Sequence, residues 1–405
     1  MKKRKISVLV AVLMVFVLSL SSTHIAFAAT VSRVYLCGIY HSDGGDRVTW
    51  ESDTGKNFSK LQGVTIYKKN AFSSSNLANY LKSSDIFMIN THGNTKRLVA
   101  IDASGEESFL DYSDIKGWTS GSMSKADVVF LGGCYNGKGG INAENMVNIL
   151  FQKGARCVIG FTGTVNSAVC GTMFKEFSYA ISNGYSISSA LTYADARVLQ
   201  IYGKNSEVTS RLVRGDTSTT FTNHSVLLSL RDVTDNSLFG KDESSGIDLH
   251  AMFNIEQKGS ILRTETIPVK EIRTILMSKG IDVKSYTLQE YSFDSLSGVT
   301  TCVFNNMHDM LETDDYVYIM VDSDRNILVC GQPHKGEYNG IEIDYERSLI
   351  DLQQIVNARD ISEYDILNGR VVKLDNQLFV RYSVSWVNKD CYLEDFFYVP
   401  VENQE

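Results

Sequence analysis

Two short apolar runs, each ending at a residue with a reactive side chain, constrain this chain more than any other feature. The first covers residues 85–91 and leads into His92 and Gly93, and the second covers residues 127–133 and leads into Cys134. Runs of this length between turn-forming residues are typical of strands buried on both faces. Because ligands bind at the carboxyl edge of an open α/β sheet, we expect both side chains at that edge.

The two side chains predict a specific chemistry. A Cys thiol needs a base to become a thiolate nucleophile, and His is the usual base. The pair therefore outlines a cysteine hydrolase, with Cys134 as the nucleophile and His92 as the base, or as the acid that protonates the leaving amine. The structural alternative is that both are packing residues near the strand ends.

The N-terminus has the pattern of a secretory signal peptide over residues 1–29. Basic residues at positions 2–5 precede an apolar run at 8–20, and Ala26 and Ala28 fit a cleavage site. An uncleaved anchor is the alternative, but the run is short for a membrane span. We expect a protein that is secreted or extracellular, or held in the cell envelope, with no membrane contact beyond the signal peptide.

Charge and cysteine content exclude several classes of partner. Without the basic residues at 2–5, the chain has 35 Lys and Arg against 47 Asp and Glu, a net charge of −12, which disfavours nucleic-acid binding. All seven cysteines follow residue 29, and an odd number leaves at least one thiol unpaired. Their irregular spacing contains no zinc-binding pattern, and we expect no required cofactor.

The pattern of elements divides the mature chain into two parts. Residues 30–220 alternate strand-like and helix-like segments, which predicts a mostly parallel sheet flanked by helices. Residues 221–405 contain all three prolines, and two predicted helices are each followed by alternating apolar segments. This second pattern predicts an accessory α+β domain with antiparallel hairpins and gives no indication of its role.

The segment from residue 33 to residue 218 resembles the caspase-like fold shared by caspases, legumain, clostripain, gingipains and CHAT-domain peptidases. The resemblance rests on the strand ending in His92 and Gly93 and on the strand ending in a small residue and Cys134, 42 residues later. A separation of about 50 residues, with His upstream, is typical of caspases. The other matching motifs are Gly-Ala before a strand at residues 154–155, a paired Phe at 174 and 177, and Gly-x-Ser-Ile-x-x-Ala at 184–190.

The resemblance implies roles for these residues. Cys134 and His92 would form the catalytic dyad of a cysteine-type endopeptidase, a thiol protease that acts on a peptide or protein substrate. Backbone N–H groups of Gly93 and Cys134 would bind the oxyanion of the tetrahedral intermediate. The glycine-rich stretch around Cys134 departs from the usual family pattern, and these glycines permit the tight turn that exposes the sulfur.

The substrate pocket is less constrained by the sequence. In related folds the loop after the first strand and the segment after the fifth line this pocket, which here indicates Asp43, Asp46 and Phe161. An acidic pocket would favour Arg or Lys before the scissile bond. Alternatively, Asp43 and Asp46 form a solvated turn beside two glycines, or with Ser42 a calcium site.

Two other functions use the same residues. A transpeptidase would use the same dyad, with an amine replacing water at the acyl-enzyme. An inactive protein that kept the fold would be a binding or cell-envelope protein. The sequence does not distinguish these functions from proteolysis.

Overall fold

The computed structural model describes residues 28–39, 50–203, 210–221, 266–294, 298–308, 311–338, 341–374, 377–388 and 391–401. The helices are α1 Trp50–Phe58, α2 Ser74–Ser83, α3 Tyr112–Lys116, α4 Met146–Gln152, α5 Ser167–Ser182, α6 Ile187–Tyr202, α7 Val269–Ser278 and α8 Tyr345–Asn357. The strands of the first half are β1 Ala28–Ala29, β2 Arg33–Gly38, β3 Thr65–Lys69, β4 Ile86–Asn90, β5 Gly93–Asn94, β6 Arg97–Ile101, β7 Glu107–Asp111, β8 Val128–Gly132, β9 Cys157–Phe161, β10 Arg211–Gly215 and β11 Thr220–Phe221. The strands of the second half are β12 Thr287–Asp294, β13 Val299–Asn305, β14 Glu312–Thr313, β15 Tyr316–Val321, β16 Ile327–Gly331, β17 Asp365–Leu374, β18 Gln377–Asn388 and β19 Cys391–Pro400.

The first half is built on a six-stranded sheet in the order β10-β9-β8-β4-β2-β3. All neighbouring strands are parallel except the edge pair β10 and β9, which is antiparallel. Every residue of β4, β8 and β9 is buried, as the continuous apolar runs predict for strands covered on both faces. The predicted mostly parallel α/β sheet is therefore confirmed.

Helices cover both faces of this sheet because each strand has apolar side chains on alternate sides. One face, with Met88 and Phe130, packs against α1, α5 and α6. The other face, with Phe87 and Ile89, packs against α2 and α4. The two layers give the sheet its rigidity and leave its carboxyl edge as the place for a site.

Polar side chains start the covering helices. Ser73 caps α2 and forms a reciprocal capping box with Asn76. Asn145, Asn166 and Ser186 cap α4, α5 and α6 in the same way, each accepting a hydrogen bond from a backbone N–H of the first turn. These caps fix where each helix begins and so fix the connections at the sheet edge.

The second half consists of two units, each with a helix and antiparallel strands. Helix α7 packs with the sheet β12-β13-β15-β16, and α8 packs with β17, β18 and β19. The predicted α+β class with antiparallel hairpins is confirmed. The hairpins predicted near residues 316–329 and 371–386 are each part of a larger sheet.

The two halves share a sheet. The order β14-β17-β18-β19-β5-β6-β7 joins the last strand of the second half to the short hairpin that follows His92. The contact is the antiparallel pair of Tyr392 in β19 with Gly93 in β5. The sequence pattern, which predicted an accessory domain, did not indicate this connection.

Buried polar contacts also hold the halves together. The Arg370 side chain is 3% exposed and pairs with Glu312 at 2.5 Å, while it donates to the backbone carbonyl of Tyr202 at the end of α6. The Tyr316 hydroxyl donates to the Gln200 carbonyl at 2.7 Å. These contacts satisfy carbonyls at a helix end that would otherwise lose their hydrogen bonds on burial.

Two observations concern the N-terminal prediction. In the part of the chain that is described, no helix is both long and apolar enough to cross a membrane. Ala28 and Ala29, at the predicted cleavage site, form the short strand β1, which pairs in parallel with β11.

A buried ion pair fixes α6 against the edge strand β10, and its loss should be costly. Arg211 donates two hydrogen bonds of 2.7 Å to Asp195, and the two side chains are 5% and 3% exposed. Arg211→Met leaves a buried carboxylate without its guanidinium, so we expect a loss of about 3–5 kcal/mol in the free energy of unfolding.

Denaturant titration with both fluorescence and circular dichroism would measure this loss. The double variant Asp195→Leu/Arg211→Met should recover most of it, because no buried charge remains. Lys96→Met, which breaks the exposed pair with Glu144, is the matched control and should leave the midpoint unchanged. Equal effects of the buried and exposed substitutions would contradict this account.

Candidate active site

The adjacent strands β4 and β8 place the two predicted catalytic residues at one edge of the sheet. The two strands are parallel, and Asn90 at the end of β4 pairs with Gly132 at the end of β8. His92 and Cys134 each lie two residues beyond this pair. The equal offset on neighbouring parallel strands brings the two turns side by side.

Glycines let the two turns approach closely. A Cβ placed on Gly93 would lie 3.5 Å from the Cα of Gly133 and 2.9 Å from the Arg97 carbonyl oxygen. A Cβ on Gly133 would lie 2.4 Å from Oδ1 of Asn136. The Arg97 carbonyl and the Asn136 side chain therefore leave no room for a side chain at Gly93 or Gly133.

Asn136 locks the turn after Cys134 to the hairpin after His92. Its Nδ2 donates to the carbonyl of Asn94 at 2.7 Å and to that of Arg97 at 3.3 Å. The side chain is fully buried. An amide held by two backbone carbonyls fixes the relative position of the two turns, which a catalytic pair requires.

The sulfur of Cys134 lies at the N-terminal end of α5. The residue is 4% exposed, and its Sγ accepts a hydrogen bond from the Val165 N–H at 3.4 Å. Val165 directly precedes Asn166, the N-cap of this sixteen-residue helix. A thiolate at a helix N-terminus is stabilised by the aligned peptide dipoles and by backbone N–H donors.

The backbone after the sulfur is strained. Tyr135 has a φ of 59°, in the left-handed region, which is uncommon for any residue other than glycine. Its N–H donates to the Gly163 carbonyl at 2.8 Å, so the loop after β9 holds this conformation in place. Such strain, of about 1–3 kcal/mol, is often stored where a side chain must be aimed.

His92 is half-buried and starts the hairpin of β5 and β6. Its backbone carbonyl accepts a hydrogen bond from the Val99 N–H at 3.1 Å, and the Thr91 hydroxyl donates to the Val99 carbonyl at 2.7 Å. These bonds fix the backbone at the base of the imidazole. The partial exposure leaves the ring within reach of a bound ligand.

Of the three predicted pocket residues, the structure describes only Phe161. The Phe161 ring is fully buried and packs against Phe130, with the ring centroids 5.9 Å apart. It therefore belongs to the core, and only its backbone could line a pocket. Asp43 and Asp46 lie outside the described residues, as does the calcium site predicted with Ser42.

The sequence analysis did not identify three buried polar residues that lie at this edge. Asn90 donates to the Ser167 carbonyl at 2.9 Å, and its buried Oδ1 has no hydrogen-bond partner within the described ranges. Nδ2 of Asn166 is likewise buried without such a partner there. Glu51 is 5% exposed and lies against Gly38 at the end of β2. A strand-terminal Asn was the only sequence signal among them.

Across the described ranges, no three His, Cys, Asp or Glu side chains come together as a metal-binding group.

Glu51 should make stability depend on pH. Burial raises the pKa of its carboxyl from 4.5 to about 7. Between these values the folded state holds a proton that the unfolded state has lost, so the free energy of unfolding falls as the pH rises. Glu51→Gln mimics the neutral acid, and above pH 7 it should be more stable than the parent by roughly 3 kcal/mol.

Denaturant midpoints at several pH values from 4 to 8 would test this. The variant and the parent should agree near pH 4 and diverge as the pH rises. Glu106→Gln, at an exposed position of the same domain, is the control and should track the parent. Curves for Glu51→Gln that stay parallel to the parent across the range would contradict the assignment.

Residues 52–232 match the family model of the CHAT domain. No curated protein matches the chain in sequence.

Three solved structures are similar to part of the chain. The complex of Porphyromonas gingivalis RgpB pro- and mature domains is 13% identical, with a TM-score of 0.37, over 47% of this chain and 48% of that one. The Saccharomyces cerevisiae separase–securin complex is 14% identical, with a TM-score of 0.32, over 46% and 12%. The Drosophila initiator caspase Dronc is 12% identical, with a TM-score of 0.30, over 49% and 87%. This chain thus spans less than half of the first two chains.

The family match covers the strands that carry His92 and Cys134, and it extends through the covering helices α5 and α6. The parallel sheet with helices on both faces is the architecture expected of that family. Residues 52–232 of this chain thus match the CHAT-domain model and contain the mostly parallel sheet flanked by helices that is expected of a caspase-like fold.

Proposed function

We propose that the CHAT domain is a cysteine endopeptidase in which Cys134 is the nucleophile and His92 is the acid–base group. The observation that carries this proposal is the parallel pairing of Asn90 with Gly132, which sets the turns after β4 and β8 side by side. Asn136 ties the two turns together, because its amide donates to the carbonyls of Asn94 and Arg97.

The proposed reaction has two steps. His92 accepts the thiol proton as the Cys134 sulfur attacks the scissile carbonyl, and the resulting oxyanion is bound by the backbone N–H groups of Gly93 and Cys134. The C–N bond then breaks, and the leaving amine takes the proton from His92. Water, deprotonated by His92, hydrolyses the thioester and releases the carboxylic acid together with the free thiol.

The thiolate is favoured by its surroundings. The Val165 N–H already donates to the sulfur, and the N-terminus of α5 adds a favourable dipole. Burial raises the pKa of Cys157 and of Cys302 to about 12, and that of Cys330 to about 11.

We also propose a substrate class and a location for the protein. A caspase-like fold supports a peptide or protein substrate, and we propose cleavage after Arg or Lys because Asp43 and Asp46 follow the first strand. Action outside the cell follows from the predicted signal peptide. We propose no cofactor, since thiol and imidazole suffice for the reaction.

Cleavage of a peptide library by the purified protein would test the activity. Cys134→Ala should lower the rate roughly ten-thousandfold or more, because the nucleophile and its base act as a unit. His92→Ala should have a similar effect. Cys330→Ala, a half-buried thiol in the second half, is the matched control and should leave the rate unchanged.

Thiol labelling provides an independent readout. At pH 7, iodoacetamide should modify Cys134 faster than Cys330, and His92→Ala should slow only the Cys134 reaction. Acceleration of acyl transfer by an added amine, with the amine found in the product, would identify a transpeptidase. Equal labelling of both thiols, with no cleavage by the parent, would instead indicate an inactive binding protein. Cleavage that survives Cys134→Ala would contradict the assignment of Cys134 as the nucleophile.

A further inference from the structure

Strand β19 runs along the side of the His92 turn. Tyr392 pairs with Gly93 on one side of β5, and Leu98 of β6 pairs with Gly93 on the other. Gly93 is therefore flanked by a strand on both sides. An extended peptide that bound by adding a strand to β5 would find no free edge there.

The direction of one peptide group makes this position important. The His92 carbonyl points towards β6, because it accepts a hydrogen bond from the Val99 N–H. The peptide bond between His92 and Gly93 is trans, as are all described peptide bonds, so the Gly93 N–H points the opposite way. That is the side on which β19 lies. The donor assigned to the oxyanion thus faces β19.

The side chains of β19 also cover the nucleophile's turn. The Tyr392 ring packs edge-to-face on Tyr135, the residue after Cys134, with the ring centroids 4.5 Å apart. The Lys138 ammonium lies 4.5 Å from the centre of the Tyr135 ring. Leu393 packs against the core face that contains Leu98. Cys134 itself is 4% exposed.

The strand is firmly held in this place. All ten residues of β19 pair with β18. Phe396 packs near Tyr202 of α6, with the ring centroids 6.2 Å apart, and Arg370 ties the same sheet to the end of α6. Strand β19 is therefore an integral part of the second half of the chain.

We propose that β19 is a built-in inhibitory strand that occupies the substrate side of Gly93 and packs on Tyr135, the residue after Cys134. The inference rests on the proposed peptidase function, because it names the donor and the thiol that substrate must reach. The second half of the chain then has a regulatory role. Substrate and β19 compete for the same backbone donor, so the enzyme works faster when the end of β19 around Tyr392 and Leu393 moves away.

The full-length protein tests this with two variants. Tyr392→Ala removes the ring from Tyr135, and Tyr392→Asp/Leu393→Asp places charges where the strand end meets the first domain. Both should speed alkylation of Cys134 by iodoacetamide, and cleavage of the peptide library in parallel, by about 5- to 150-fold, the range of typical coupling between sites.

The matched control is Tyr398→Ala. Tyr398 lies on the same strand and is 39% exposed against 36% for Tyr392, but its ring packs on Phe379 within the second half. We expect parent rates for this control. Labelling of the fully buried Cys302 reports unfolding of the second half, and it should stay slow in every variant.

The outcomes separate this inference from the proposed function. Unchanged or slower labelling of Cys134 in both variants, with Cys302 still protected, would overturn the inhibitory strand and show that β19 supports the site. Faster labelling of Cys134 without cleavage in any variant would support the proposal that β19 restricts access to Cys134 and would contradict the proposed peptidase activity. If the parent cleaved the library as fast as the variants, inhibition by β19 would be contradicted, but the peptidase function would stand.

Discussion

The parallel pairing of β4 with β8 is the constraint on which the site depends. It sets Asn90 beside Gly132 and gives the next two residues of each strand the same offset from the sheet. A shift of one residue in this register would turn every side chain of one strand to the opposite helical layer. Both strands are buried on both faces, so such a shift would disrupt both cores at once. The relative position of His92 and Cys134 is thus held by apolar packing along the whole length of the two strands.

The same packing explains the glycines at the edge. Gly132 lies against the sulfur of Cys170 and the Ile89 carbonyl, so α5 presses directly on the end of β8. That pressure places the N-terminus of α5 beside Cys134. One close contact between helix and sheet thus brings together the positive end of the helix, the sulfur of Cys134 and the strained backbone of Tyr135.

The sequence predicted the strands well because buried parallel strands leave a strong signal. The runs at 85–91 and 127–133 contain β4 and β8, and His92 and Cys134 lie where those runs predict. The burial of Glu51 could not be predicted from the sequence, because it depends on Gly38, a residue of another element. The pairing of Tyr392 with Gly93 joins positions about 300 residues apart. No local pattern indicates which sheet edge a distant strand will find.

The position of β19 in the chain has a consequence for synthesis. The strands and helices around the dyad are complete by Phe221, whereas β19 begins at Cys391. At about 5–20 residues per second, the ribosome needs roughly 10 to 30 s to make the residues between them. Domains generally fold in the order in which they emerge. The edge of β5 at Gly93 is therefore open for this interval, until β19 is made and pairs with it.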